Sequence, residues 1–459
     1  MSLLIQNGEV VTAEGRAFAD ILCEGETIVS IERHLPKPAG AEVVDAAGCY
    51  VFPGFIDPHV HAYLPLKDFC SKADYASTSR AALIGGTTFF FDFCGASRDE
   101  TPLEALARWN DMSRGNSACD FSYHMTVARF DPRMAEQLAA VVQRGIPSFK
   151  VYLAYQGVLD LGDAELLQVL TLAKKLGALT LAHCENAGTI AARQQELLAE
   201  GKTGPEWHEP SRPSSVEADG VRHFLEFAGR AGASAYVVHL SCAEALQQAE
   251  AARQRGVRVH IETMPHYLLL DRTYAERPHF EGAKYVLSPP LRDKSNQPVL
   301  WAALARGAIE TVGTDHCPFD FEGQKTLGRD CFTKIPNGIG GIEDRINLLH
   351  TYGVLEGRLD LSTLVAVASS NPAKLFGLYP RKGALQVGSD ADLVVYDPAH
   401  PGVISARTQS TQVDYNPYEG FAVRGRPRVV TVRGEIAVRD GVFVGDAGRG
   451  RFTSREASL

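Results

Sequence analysis

At 459 residues the chain is too long for one small domain and suits a large core domain with a smaller companion. It is 45% hydrophobic and 22% charged, the composition of an ordinary globular protein. The net charge of −9 gives no electrostatic reason to expect nucleic acid or an anionic membrane as a partner.

The first residues, Met1-Ser2-Leu3-Leu4-Ile5-Gln6-Asn7-Gly8, lack the basic and apolar regions of a signal peptide. No apolar run reaches the roughly 18 residues needed to span a bilayer. The nine cysteines are scattered, odd in number and never spaced as Cys-x-x-Cys. That usage predicts reduced thiols in a cytoplasmic protein.

Residues 1–50 read as short alternating strands such as Leu3-Leu4-Ile5, Val10-Val11-Thr12 and Asp20-Ile21-Leu22-Cys23. Asn7-Gly8 and Glu24-Gly25 stand where hairpin turns are expected. The rhythm changes at Tyr50-Val51-Phe52, taken as the opening of the first strand of a new unit. Apolar runs then recur about every 30 residues, the period of a strand–helix–strand repeat. They are Thr87–Phe93, Cys119–Val127, Ser148–Tyr155, Leu179–Cys184, Ala235–Leu240, Val257–Thr263 and Thr311–Thr314. Amphipathic stretches between them, including Pro102–Met112, Met134–Arg144, Ala164–Leu176 and Ala243–Arg255, predict helices, several stopped by glycine.

Strand and helix alternating eight times predict an α/β fold, a (β/α)8 TIM barrel. An open doubly wound sheet would want a glycine-rich phosphate loop after its first strand, and none is present. After residue 375 strands return, as Ala391–Tyr396, Val429–Val432 and Ile436–Val438. The two β-rich ends, 1–50 and 376–459, are expected to form one small β-sandwich beside a barrel spanning 51–375.

Barrel enzymes carry their chemistry at the C-terminal ends of strands. The first strand ends in Phe55-Ile56-Asp57-Pro58-His59-Val60-His61, where alternate residues point to one side and both imidazoles face one spot. Lys150 interrupts an otherwise apolar fourth strand. The fifth ends in His183, the sixth in His239 and the eighth in Asp315. Singly, each has an ordinary explanation: a hydrogen-bonded core histidine, a snorkelling lysine, a helix-capping aspartate. Together they predict a metal site.

An ammonium ion would repel a divalent cation, but a buried, neutral lysine can take up carbon dioxide as a carbamate. His59, His61, carboxylated Lys150 and Asp315 would then hold one ion, and the carbamate, His183 and His239 a second. Imidazole and carboxylate donors suit zinc, with manganese, cobalt or iron as alternatives. Two ions about 3.5–4 Å apart support a shared hydroxide, nucleophilic near neutral pH. Asp315 would be both ligand and general base, passing the proton to a leaving nitrogen.

These residues resemble the amidohydrolase superfamily, specifically its cyclic amidases, the dihydropyrimidinases and D-hydantoinases. The likeness runs through Ile5-Gln6-Asn7-Gly8, Pro53–His61, Ser148-Phe149-Lys150, His183-Cys184-Glu185-Asn186 and His239-Leu240-Ser241. It continues through Ser288-Pro289-Pro290-Leu291-Arg292, Gly313-Thr314-Asp315-His316, Pro336-Asn337-Gly338 and Gly388–Asp392. Phe89-Phe90-Phe91 is bulkier than the family's usual second strand.

The resemblance implies hydrolytic opening of 5-substituted hydantoins and 5,6-dihydropyrimidines. It implies that Tyr155 donates a hydrogen bond to the developing oxyanion. The backbones around Ser288 and Asn337 would hold the imide edge of the ring, and Leu64, Tyr152 and Leu159 would meet ring substituents. It further implies a homotetramer, or a dimer, with a small cyclic amide as the only other partner. A dihydroorotase would want a cation two residues past His61, where Tyr63 stands, and a mononuclear deaminase would not need Lys150. Allantoinase remains an alternative, as does a non-enzymatic scaffold, although all six ligand positions are filled.

Overall fold

The computed structural model describes residues 2–66, 69–95 and 97–457. Eight parallel strands pair in chain order: Phe55–Val60, Thr87–Cys94, Asp120–Thr126, Ser148–Tyr152, Leu179–His183, Ala235–Val237, Val259–Thr263 and Thr311–Val312. A parallel bridge from Val60 to His316 brings the first strand against the segment following the eighth. The ring closes there as a barrel.

Side chains, more than a backbone ladder, hold that closing seam. Arg345, fully buried, donates through Nη1 to the carbonyls of Ile56 (2.9 Å) and Val312 (2.8 Å). The buried Asp57 carboxylate accepts from the Thr314 amide (3.1 Å) and hydroxyl (2.6 Å). Each bond satisfies a polar group that would otherwise be stranded in the interior.

The barrel strands are buried on both faces, which is why they read as continuous apolar runs rather than alternating ones. Inward residues Ile56, Phe89, Phe91, Phe93, Leu181 and Tyr236 fill the barrel, and Phe376 and Leu378 join the same cluster. Phe90 and Phe121 point outward into the layer beneath the helices. The bulky Phe89-Phe90-Phe91 run is therefore split between two cores, and each ring contributes about 1.5–3 kcal/mol of transfer free energy.

Local signals set the helix limits. Thr101 and Glu104 form a reciprocal capping box at the start of Pro102–Ser113. Gly177, at φ 66°, ends Asp163–Leu176 in the left-handed conformation that suits glycine. No helix among the described residues is long and apolar enough to cross a membrane.

The chain ends build two further sheets. Ser2–Gln6, Asp20–Glu24, Thr27–Glu32 and Glu42–Asp45 form a four-stranded sheet. Glu9–Thr12, Gly15–Phe18 and Tyr50–Pro53 join Leu393–Val403, Ala422–Val432, Glu435–Arg439 and Val442–Phe443 in a seven-stranded one. Leu3, Ile5, Ile21 and Ile28 of the first sheet share a core with Val10, Val51, Leu393 and Val429 of the second. The β-rich ends thus pack as a sandwich.

Two sequence expectations are corrected. Tyr50-Val51-Phe52 does not open the barrel; it pairs antiparallel with Val394–Tyr396 and belongs to the seven-stranded sheet. The chain breaks at Gly54, where a β-carbon would lie 2.0 Å from the Thr88 hydroxyl, and re-enters as the first barrel strand. Asn7-Gly8 is no hairpin either. Asn7, at φ 63°, carries the chain from one sheet into the other, and the hairpin that follows turns between Thr12 and Gly15.

Candidate metal centre

The strand ends converge on one point. His59 lies in the first strand and His61 just past it, with ring centres 5.4 Å apart. Asp315 places Oδ1 3.1 Å from Nε2 of both. These three offer ligand atoms all within 4.8 Å of one another. His183 Nδ1 lies 3.0 Å from His239 Nε2, and the His239 ring is 5.4 Å from that of His59. The two groups are adjacent.

Lys150 is 1% exposed, with Nζ 4.9 Å from the Phe93 ring centre and 5.1 Å from that of Tyr152. Phe93 in turn stacks on His61 at 4.9 Å. Among the described residues the Lys150 ammonium forms no hydrogen bond or ion pair. Burial pushes its pKa down to about 8, within reach of the neutral amine that carbon dioxide requires.

Protonation states fit a cation. His59 Nδ1 faces the Glu262 carboxylate at 2.8 Å, which anchors a proton on Nδ1 and turns Nε2 toward Asp315 as the atom that would ligate. That buried Nε2 has no hydrogen-bond partner and looks at a carboxylate oxygen. Burial opposes charge on His59, yet Asp315 and Glu262 outweigh it and hold its pKa above the ordinary value. A bound cation would answer the same demand for positive charge. Burial lowers the pKa of His61, His183 and His239, keeping them neutral and able to ligate. Burial works against the Asp315 carboxylate too, but His59 and His61 hold its pKa well below the usual range.

Backbone strain marks the same place. Tyr155, His239 and Asp315 have φ of 65°, 39° and 50°, a region that non-glycine residues seldom occupy. His239 and Asp315 therefore sit beyond the last paired residues of their strands, Val237 and Val312. One cavity of about 650 Å³ is lined by all six ligand candidates and by Leu64, Tyr152, Tyr155, Leu159, Ser288 and Asn337. Burial raises the Tyr155 pKa, so its hydroxyl stays protonated and can donate.

The Amidohydrolase family sequence model matches residues 50–437. The chain belongs to the amidohydrolase family. A D-hydantoinase (dihydropyrimidinase) of known structure from Thermus sp. is 56% identical, with a TM-score of 0.98 over 99% of both chains. Dihydropyrimidinase from Brevibacillus agri is 44% identical, with a TM-score of 0.98 over 100% of each chain. D-hydantoinase from Geobacillus stearothermophilus is 45% identical over 456 residues, 99% of this chain and 97% of that one. The amidohydrolase family is metal-dependent, and the His59–His61–Asp315 cluster offers a place for the ion.

Two carboxylates escaped the sequence reading. Glu262 accepts from His59 Nδ1 (2.8 Å), the His239 amide (3.1 Å) and the Tyr236 hydroxyl (3.0 Å), touching one histidine of each group. Glu185 holds His183 Nε2 at 2.8 Å and is itself gripped by Arg212 at 2.6 Å. Glu262 did leave a signal: like Lys150, it is a charged residue near the end of a barrel strand. Replacing Glu262 with Gln is expected to weaken divalent-cation affinity about 10–100-fold, because the imidazole loses its anchor. Competition against a chelating dye measures this, and wild-type affinity would rule out an orienting role.

Proposed function

We propose that this amidohydrolase opens the ring C(=O)–N bond of 5-substituted hydantoins and 5,6-dihydropyrimidines, giving N-carbamoyl α- and β-amino acids. The observation that carries this reading is the full-length likeness to D-hydantoinases and dihydropyrimidinases, together with the one cavity bordered by every residue the reaction needs. In this reading the catalytic barrel runs from Gly54 to residue 375, and 1–53 with 376–459 form the flanking sandwich, because Tyr50–Pro53 pair in the seven-stranded sheet. The protein works as a cytoplasmic homotetramer, a reading that the absence of disulfides among the nine cysteines supports for its compartment.

His59, His61, carboxylated Lys150 and Asp315 would hold one divalent ion, and carboxylated Lys150, His183 and His239 the other. Zinc suits this donor set best. Bound there, the ions would supply Lewis acidity at the ring carbonyl and bring the pKa of an attacking water toward neutrality.

The protein's own groups do the rest. Asp315, kept ionised by His59 and His61, takes the water's proton and delivers it to the departing ring nitrogen. The Tyr155 hydroxyl donates to the oxyanion as the carbonyl becomes tetrahedral. Backbone groups at Ser288 and Asn337 hold the imide edge. Leu64, Tyr152 and Leu159 present apolar surface to the ring substituent.

Metal analysis paired with rates on dihydrouracil, phenylhydantoin and allantoin tests the proposal. The expected result is two ions per subunit and turnover of the first two substrates well above the third. Fastest turnover of allantoin would move the assignment to a ureide hydrolase. No turnover after reconstitution with zinc or manganese and bicarbonate would leave a scaffold.

A further inference from the structure

Ser288 and Asn337 come from segments 49 positions apart in sequence, neither of them a regular strand. For both backbones to hold one flat ring edge, the gap between them has to be fixed by something other than a β-ladder. Gly338 contributes one link, its amide donating to the Val286 carbonyl at 3.1 Å. With φ at 143° and a would-be β-carbon 2.5 Å from the Cys317 carbonyl, only glycine fits there.

The stronger link is Lys325. Its side chain is completely buried, and Nζ donates to the carbonyls of Val286 and Pro336, each at 2.7 Å. Those carbonyls lie two residues before Ser288 and one before Asn337. The lysine forms no ion pair among the described residues, and its other polar-type contact is the Phe319 ring face at 5.8 Å. A buried lysine without a carboxylate is a poor stabiliser, since desolvation is not repaid by an opposite charge. What Lys325 has in exchange is geometry: one atom bonded to both segments. Its own backbone is tethered as well, the amide donating to the Asp320 carbonyl at 3.0 Å.

We propose that Lys325 is a positioning residue that sets the spacing between the Ser288 and Asn337 backbones and thereby the fit of the ring's imide edge. This rests on the cyclic-amidase reading and adds to it a determinant of ring binding outside the cavity wall. Charge is not essential to the brace. Burial pushes the Lys325 pKa down to about 7, and amine and ammonium alike keep two N–H groups for two carbonyls.

Steady-state kinetics of the metal-loaded full chain test this with Lys325→Met, which keeps an unbranched apolar stem and removes the N–H donors. Lys325→Gln, which keeps N–H donors on a shorter arm, is assayed beside it. KM for hydantoin is expected to rise about tenfold in the Met variant with kcat within about threefold, the pattern of lost ring holding. The rise should be equal for unsubstituted and phenyl-substituted hydantoin, because the brace acts on the edge remote from the substituent. The Gln variant should fall between Met and wild type, and both should keep wild-type metal content. Unchanged KM in folded variants overturns the proposal, as does loss of metal and kcat together, or failure of both variants to fold. Absence of ring hydrolysis by the wild type overturns the cyclic-amidase reading and this inference together, and so is distinguishable from the other failures.

Discussion

Replacing Lys150 with alanine is expected to remove at least one bound ion and to lower turnover by about 10³-fold or more, some 4 kcal/mol of barrier. The lysine earns no structural explanation. It sits 1% exposed in an apolar strand, faces two aromatic rings and has no ion-pair partner among the described residues. Left as an ammonium it would repel the cations that the surrounding imidazoles and Asp315 are arranged to hold. As a carbamate it would instead present a carboxylate to the His59–His61–Asp315 and His183–His239 groups. The amine that captures carbon dioxide releases a proton, and burial has brought its pKa to about 8. Below that value the ammonium is favoured, so reconstitution with metal should be slower at pH 6 than at pH 8.

Alanine leaves a gap of the right shape for a small carboxylate. Acetate or propionate should therefore restore part of the activity, and intact-protein mass should show the wild type, not the variant, carrying one added carbon dioxide. Full activity with both ions in Lys150→Ala would remove the carbamate from the mechanism.

The sequence revealed the parts of this site that ride on regular strands. His59, His61, Lys150 and His183 stand within or next to paired residues, so period-two geometry was enough to aim them. His239 and Asp315 were placed at strand ends because apolar runs stop there. Their actual positions depend on left-handed turns that no propensity encodes. Glu262 stands one residue before the end of its strand, and only the fold brings its carboxylate to the His59 ring and the His239 amide. Tyr50-Val51-Phe52 reads as one run with the first barrel strand because only Pro53 and Gly54 stand between them. The Lys325 brace was invisible for a different reason. Its two carbonyls lie in loops with no periodicity, and only their folded proximity gives the lysine meaning.

Asp315→Asn is the second substitution expected to act strongly, and it separates two duties of one side chain. The amide is nearly the same size and keeps an oxygen toward His59 and His61, so ring binding should change little and KM should stay within about threefold. What disappears is basicity. Asp315 lies 3.1 Å from both imidazoles, which hold its pKa well below the ordinary carboxylate range. It is therefore ionised throughout the neutral region, and a group so acidic is a weak base toward bulk water. It works only because the water it deprotonates would itself be acidified at the centre. Asparagine cannot take that proton nor hand it to the ring nitrogen, and kcat should fall by about 10²–10⁴. Metal content measured on the same preparation distinguishes loss of the base from loss of an ion. A variant that keeps its metal and its kcat would show that another group moves the proton, and Tyr155 would be the next to test.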